Sequence, residues 1–375
     1  MSVPHKVRLR RPVREPPRPQ PRQLPRTPDD EELLKILELS RLRIAAVGIG
    51  GAGCNTITRL EMEDCRDIDT IAMNTDAQHL LITRSKRKLL LGRELCGGLG
   101  CGGDPLIGEE AAKESLEEIE KIVEGLDLVF VTCGLGGGTG TGGAPIVAKA
   151  ARSAGALVIA IVTLPFNMEG RKRMENALTG LEKLEKTCDT IIIVPNERLL
   201  QISPTLTLSE AFRVADEILV RGVRGIADTL TKPGLVNVDF ADLRTIMEDA
   251  GPALIAFGES DAENRAEEAV ASALNTPLLE VDIKGGRGAL INITAGPSIT
   301  LEEVNQVVES IAGELNPDAD IIWGARIEED LQDLLRVLLV VTGVSTPYIT
   351  SRVRREKEKT VRRILDLAEL GVEEL

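Results

Sequence analysis

An apolar run from Leu126 to Thr132 passes through Cys133 into Gly134-Leu135-Gly136-Gly137-Gly138-Thr139-Gly140-Thr141-Gly142-Gly143, and a helical pattern follows from Ala144 to Ser153. Few stretches constrain a fold as tightly. Seven glycines and two threonines between a buried strand and a helix N-terminus form a nest of backbone amides, with hydroxyl donors and the positive end of the helix dipole beside it. Such a loop suits a di- or triphosphate. It contains no G-x-x-x-x-G-K-[S/T], so no P-loop lysine contributes.

Two more glycine turns accompany it. Gly48-Ile49-Gly50-Gly51-Ala52-Gly53 ends an apolar strand at Arg43 to Ile49 and meets the G-x-G-x-x-G spacing at Gly48, Gly50 and Gly53. By itself that turn reads as a dinucleotide fingerprint, as another phosphate loop, or as a tight turn with no ligand. A third stretch, Gly97-Gly98-Leu99-Gly100-Cys101-Gly102-Gly103-Asp104, precedes another helix and could wrap a terminal phosphate. Three such loops, each read as following a strand, can converge at the carboxyl edge of one parallel sheet.

The surrounding pattern supplies that sheet. Helices at Ala52 to Glu63, Gly108 to Glu124, Ala144 to Ser153 and Met168 to Thr187 alternate with strands at Thr70 to Met73, Leu126 to Thr132, Ala156 to Leu164 and Thr190 to Val194. Continuous apolar strands in this alternation indicate a parallel sheet covered on both faces. A long helix then spans Leu208 to Leu230, opened by a Thr207/Glu210 capping box and stopped by Lys232-Pro233-Gly234. Beyond it the order changes: a helix from Asp239, strands at Ala253 to Phe257, Ala289 to Thr294, Asp320 to Trp323 and Leu335 to Val341, and helices at Arg265 to Leu274 and Thr300 to Gly313. This is a second α/β unit expected to have its own core. The organisation read from the chain is therefore an Arg/Pro-rich disordered arm over 1–28, a helix over 29–42, a nucleotide-binding domain over 43–207, the central helix over 208–232, a C-terminal α/β domain over 233–345 and a charged tail over 346–375.

Composition removes several alternatives. The 375 residues carry 45 Lys+Arg against 59 Asp+Glu, a net charge of −14, and only five Phe, one Tyr and one Trp. An acidic, aromatic-poor body argues against nucleic acid as a partner. No apolar stretch approaches the roughly 20 residues of a membrane span, and the arm lacks the apolar segment of a signal peptide. A cytoplasmic protein is expected, with membrane contact only indirect. Its six cysteines form no C-x-x-C pair and read as reduced thiols, with no protein metal site.

The signature Gly137-Gly138-Thr139-Gly140-Thr141-Gly142 resembles that of the tubulin/FtsZ family, and the chain from about Arg43 to Val344 is similar to the FtsZ branch of cell-division GTPases. Asn74-Thr75-Asp76-Ala77-Gln78, Pro165-Phe166-Asn167 through Arg173, Pro195-Asn196 and Asn237-Val238-Asp239-Phe240-Ala241-Asp242 follow in the same order. The resemblance implies a tubulin-like two-domain α/β fold, in which a long central helix joins a Rossmann-like parallel-sheet GTPase domain to a smaller α/β domain. It implies GTP/GDP as nucleotide, with Mg²⁺ on the phosphates. The nucleotide site would draw on Gly50, Gly51, Ala52, Asn55, Asn74, Asp76, Gly102, Gly103, Gly136, Gly137, Gly138, Thr139, Gly140, Thr141, Gly142, Glu169, Arg173, Asn196, Phe212 and Asp216.

Each role has a chemical reason. Guanine presents donors at N1 and N2 and an acceptor at O6, so its site wants a carboxylate and an amide, which Asp216 and Asn196 supply. Phe212, one turn before Asp216, is placed to lie against the ring. Glu169 and Arg173, four apart, form an i,i+4 pair or, by resemblance, approach the ribose. Asp239 and Asp242 read locally as an N-cap and a first-turn acid. By resemblance they and Asn237 act on the γ-phosphate of nucleotide held by the next subunit, polarising and orienting the attacking water.

The implied function is a cell-division GTPase that polymerises head-to-tail into filaments at mid-cell, with assembly-stimulated hydrolysis. Two alternatives stand beside it: a tubulin-like GTP-binding regulator with little hydrolysis, and an NAD-dependent oxidoreductase built on Gly48 to Gly53. Cys101 replaces a usual alanine and Leu106 stands where the family often has glutamate. The chain ends in an acidic amphipathic segment, and residues 361–375 are expected to dock a division adaptor protein.

Overall fold

Ile44–Ile49 (β1) is buried at every residue, as a strand between two helical layers must be. In the computed structural model, which describes residues 42–63, 65–202, 207–278 and 283–349, it belongs to one ten-stranded sheet. The arm, the helix read over 29–42 as far as Arg41, and the tail from Thr350 lie outside the described residues.

The first half alternates strictly. Gly50–Met62 (α1) follows β1; Ile68–Asn74 (β2), Ala77–Ile82 (α2), Arg87–Leu90 (β3), Arg93–Cys96 (α3), Pro105–Glu114 (α4) and Leu116–Val123 (α5) come next. Then come Leu128–Gly134 (β4), Thr139–Ser153 (α6), Leu157–Leu164 (β5), Arg171–Glu185 (α7), Thr190–Pro195 (β6) and Asn196–Ile202 (α8). These six strands run parallel in the order β3-β2-β1-β4-β5-β6. Their direction of growth reverses between β1 and β4, the switch point at which α/β sheets bind ligands.

Side chains alternate across the sheet with the two-residue period of a strand. On β4, Val129, Val131 and Cys133 join the core beneath α4 to α7, whereas Leu128 and Phe130 join the core beneath α1 and the central helix. That central helix, Leu208–Thr231 (α9), begins with the expected capping box: Thr207 Oγ1 accepts from Glu210 N at 3.3 Å, and Glu210 Oε2 accepts from Thr207 N at 2.8 Å. Pro233 ends it.

The second half comprises Phe240–Met247 (α10), Gly251–Ser260 (β7), Arg265–Leu274 (α11), Gly288–Ala295 (β8), Leu301–Ala312 (α12), Asp320–Ile327 (β9) and Leu335–Thr342 (β10). It does not start a new sheet. β7 adds to β6 in parallel over three pairs, Thr190 to Gly251, Ile191 to Pro252 and Ile192 to Ala253. β10 then pairs antiparallel with both β7 and β8, and β9 closes the far edge parallel to β8. The core expected of this unit exists on one face, where α11 and α12 cover Ile291 and Leu339. On the other face Leu290, Leu338 and Val340 share the core of α9 with the first half.

Two helices read as continuous are broken. The pattern over 108–124 divides at Ser115, whose Oγ accepts from Gly92 N at 3.1 Å, and the one over 168–187 divides at Gly170, whose φ of 97° no L-residue holds comfortably. The third glycine stretch follows α3 and not a strand, which corrects the expectation that every glycine loop leaves the sheet directly.

Candidate nucleotide site

The first two loops meet at the switch point because glycine allows their backbones to touch. A Cβ on Gly50, which holds φ of 72°, would lie 2.9 Å from Gly140 N; one on Gly53 would lie 2.5 Å from the Thr132 carbonyl. Both following helices, α1 and α6, start without a side-chain cap and without an acid in the first turn. Their leading N–H groups therefore remain as donors, and two helix dipoles point at one place. Gly51 and Gly137 face open space.

The third loop closes over this point. A Cβ on Gly138 would meet Cys101 Cβ at 2.7 Å and the Asp104 carbonyl at 2.9 Å. Gly100 N donates to Thr75 O at 3.1 Å, and Ala77 N to Gly98 O at 3.0 Å. Gly102 and Gly103 hold φ of 57° and 80°, turning the chain into α4, which Asp104 caps through Leu106 N at 2.9 Å. Thr75 and Thr139 hydroxyls sit 2.7 Å apart, and Cys101 Sγ lies 3.3 Å and 3.5 Å from them. Cys101 thus touches two hydroxyls beside the glycine loops.

Some candidate residues hold the loops by their side chains. Asn74 Oδ1 accepts from Thr75 N at 2.9 Å and its Nδ2 meets His79 Nδ1 at 3.2 Å; Asp76 caps α2 through His79 N at 3.0 Å. Thr141 Oγ1 accepts from Gly136 N at 2.8 Å, fixing the turn at which Gly136 reaches φ of 105°. Ala52 packs against Gly134, and Asn55, exposed on α1, makes no contact that defines a role. Arg173 covers Gly136 and pairs with Glu169 at 3.2 Å, while Glu169 Oε1 accepts from Phe166 N at 2.8 Å.

The residues expected to take the base stand on β6, α8 and α9. Asn196, at the end of β6, is 5 % exposed, and its buried Oδ1 has no hydrogen-bond partner. Among the described residues it is one of three buried side-chain polar atoms without a partner, with Thr132 Oγ1 and Arg326 Nε, and an unpaired oxygen beside the β6 carboxyl end suits a polar ligand. Phe212 keeps 40 % of its surface exposed, its edge set against Phe166 with ring centroids 5.4 Å apart at 82°. Asp216 lies one turn further along α9. Burial raises its carboxyl to about 6, against the opposing pull of Arg59 at 3.3 Å. Arg59 and the supporting Phe166 were not singled out as site residues from the sequence; their positions become informative only when α1, β5 and α9 are brought together.

Asn237, Asp239 and Asp242 are elsewhere. Asn237 Oδ1 accepts from Gly234 N at 2.8 Å and closes a turn that β9 holds through Leu235 N to Ala325 O at 2.8 Å. Asp239 caps α10 through Asp242 N at 2.8 Å, and the carboxylate of Asp242 is exposed. On the same helix Arg244 reaches Gly155 O at 3.4 Å, just before β5 begins. The acids therefore stand at the amino edge of β5, and the glycine loops at the carboxyl edge of β1 and β4. Eight residues of β5 separate those edges by about 26 Å. Within one chain, the acids cannot reach a phosphate on the glycine loops.

Among the described residues no group of three or more His, Cys, Asp or Glu side chains could hold a metal ion. A cation here would take its ligands from phosphate oxygens and water, as Mg²⁺ at nucleotides commonly does.

Comparison with known proteins shows the family. Residues 43–204 match the model of the tubulin/FtsZ family GTPase domain, and residues 251–345 that of the FtsZ family C-terminal domain. The chain is 54 % identical over 345 residues to cell division protein FtsZ 1 of Thermococcus kodakarensis, covering 91 % of this chain and 92 % of that one. It is 53 % identical over 333 residues to cell division protein FtsZ 1 of Methanocaldococcus jannaschii, covering 88 % and 92 %. A solved FtsZ dimer from M. jannaschii superposes with a TM-score of 0.81 at 54 % identity, over 85 % of this chain and 93 % of that one. A CetZ2 protofilament from Haloferax volcanii, 24 % identical with a TM-score of 0.70 over 88 % and 100 %, shares the fold.

Proposed function

The chain belongs to the FtsZ family of tubulin-like GTPases, and from that premise we propose that it hydrolyses GTP at sites completed only between successive subunits of a filament. It is a cell-division GTPase that self-associates. One observation carries the finer reading: the exposed acids of α10 and the glycine loops occupy opposite edges of one sheet. A head-to-tail contact brings the acid edge of one copy to the nucleotide edge of the next, and repetition without closure gives a filament.

In this reading the amides of Gly50, Gly51, Gly102, Gly103 and the Gly136 to Gly142 loop cradle the phosphates. Asn196 and Asp216 read guanine, Phe212 lies on the ring, and Glu169 with Arg173 borders the ribose. Asn237 offers its side-chain amide nitrogen, its oxygen being engaged, to orient water; Asp239 and Asp242 polarise it. Mg²⁺, with no described protein ligand set, would be held by the nucleotide and water and would supply charge neutralisation in phosphoryl transfer.

The filament acts at the division site in the cytoplasm, reaching the membrane through adaptors that bind residues 361–375. Among the described residues no helix is long and apolar enough to cross a membrane. Phosphate release and right-angle light scattering, recorded together across protein concentrations with GDP and ATP controls, test the shared site. Turnover should appear only above the concentration at which GTP-dependent scattering begins. Turnover proportional to protein at all concentrations would overturn the reading. Adaptor binding should be lost on deleting 361–375.

A further inference from the structure

We infer that Arg59 is a positioning residue for base recognition: its guanidinium, seated on one oxygen of Asp216, keeps that carboxylate ionised and aimed so that guanine is read by an anion. The inference deepens the base-site reading above and rests on it.

The geometry is specific. Arg59 stands in the third turn of α1, the helix whose first turn carries Gly50 and Gly51, and its Nε donates to Asp216 Oδ2 across 157 positions of sequence. Asp216 has a side chain 13 % exposed, set among Ala215, Leu219 and Val220 in the core that α1 and α9 share. A carboxyl in such surroundings tends to take up a proton. Burial acts in that direction and raises Asp216 to about 6, while the charge of Arg59 and its hydrogen bond oppose it.

Among the described residues Arg59 is the one cation that lowers Asp216. On α1, Glu61 accepts from Thr70 Oγ1 and Glu63 pairs with Arg224. On α8, Glu197 accepts from Asn167 N. On α9, Glu210 is held by Thr207, while Arg213 and Glu217 flank Asp216 in sequence but exert no resolved pull on it. β5 and β6 carry no charged residue.

Protonation matters because guanine presents two adjacent donors, N1–H and the N2 amine. A carboxylate accepts both; the acid form turns an O–H against one of them. Arg59 occupies Oδ2 from the α1 side and leaves Oδ1 and a further lone pair for the base. The inosine base, which lacks the N2 amine, has less to lose. Preference for GTP over ITP therefore reports the ionised, correctly turned carboxylate.

The test titrates GTP and ITP onto the full chain from about pH 5.5 to about pH 8.5, using wild type, Arg59→Gln, Arg59→Lys and Asp216→Ala. Wild type should keep its GTP preference at neutral pH and lose it toward pH 6. In Arg59→Gln the midpoint should rise by about one pH unit or more, cutting the preference severalfold at neutral pH, and Arg59→Lys should restore most of the midpoint. A profile for Arg59→Gln that superimposes on wild type, or a loss of affinity equal at every pH, overturns the inference. If Asp216→Ala keeps the full preference for GTP, the base-site reading itself fails and the inference with it.

Discussion

A Cβ on Gly142 would lie 2.1 Å from the carbonyl oxygen of Pro105 and 2.5 Å from the amide nitrogen of Glu109. α4 and α6 therefore cross backbone to backbone, and reciprocally a Cβ on Gly108 would lie 2.3 Å from Gly138 O. The third glycine loop leads straight into α4, so this crossing is what keeps it over the second.

Alanine at Gly142 should accordingly cost about 1–3 kcal/mol of stability and weaken GTP binding as the loops separate. Gly137 gives the opposite result. A Cβ there meets nothing within 4 Å and its φ suits any residue, so Gly137→Ala should melt within about 0.5 kcal/mol of wild type yet bind GTP less tightly. Thermal melts and nucleotide titrations on both variants check the pair; equal melting temperatures would contradict the crossing.

Asp239 combines a cap with a proposed chemical role, and two substitutions separate them. Asparagine caps as well as aspartate, whereas alanine loses about 1 kcal/mol. Asp239→Asn should keep the melting temperature and lose turnover; Asp239→Ala should lose both. Asp242→Ala should bind GTP normally and fail to hydrolyse it. Mixing Asp242→Ala with Asn196→Ala, which retains the acidic loop, should restore turnover that neither shows alone, measured as phosphate release.

Acid should loosen the second half through Glu303. Its carboxylate accepts from Arg265 Nε at 2.6 Å and from Thr300 N at 2.8 Å, and these bonds, Arg265 first, hold it down at about 2 against an ordinary 4.5. A depressed carboxylate stabilises the fold above its ordinary value, and that share disappears as pH falls from about 4.5 toward about 2. Glu303→Gln should lose about 1–2 kcal/mol at neutral pH and flatten the decline between those values, read from denaturant midpoints across pH.

The thiols should be inert in the folded chain. Burial pushes Cys133 up to about 12, and Cys54, Cys65 and Cys96 to about 11, with Cys188 also raised. For a value near 11, on the order of a thousandth is thiolate at pH 8. Iodoacetamide should label these five slowly until denaturant is added, with half-buried Cys65 first, followed by mass spectrometry.

The alternation of strands and helices was legible because parallel strands buried on both faces leave unbroken apolar runs, as Leu157–Leu164 does. The glycine loops were legible because the close approaches at Gly50, Gly53 and Gly138 tolerate no side chain. Ser115 was not legible as a helix break, since its reason is a hydrogen bond to Gly92, and β3 is too short and half exposed to stand out from a loop. The single sheet was hidden because only three residue pairs join β6 to β7. At the candidate site, Asp216 and Asn196 were named through the resemblance, whereas Arg59 carried no local sign: its partner lies 157 residues away. The engaged side chains of Asn74 and Thr141 likewise emerge only from the folded loops.

That narrow junction bears on how the chain is made. β6 ends at Pro195 and its sheet partner begins at Gly251, so 55 residues must leave the ribosome before the open edge is covered. At roughly 5–20 residues per second this takes about 3 to 11 s, with Thr190 to Ile192 offering unpaired amides and carbonyls to any neighbouring nascent chain. The nucleotide half is by then complete in sequence, and α9, synthesised within that interval, supplies the apolar cover for the face below. A protein built to add copies of itself end to end thus passes, during its own synthesis, through a stage that exposes a different and unwanted way of joining chains side to side.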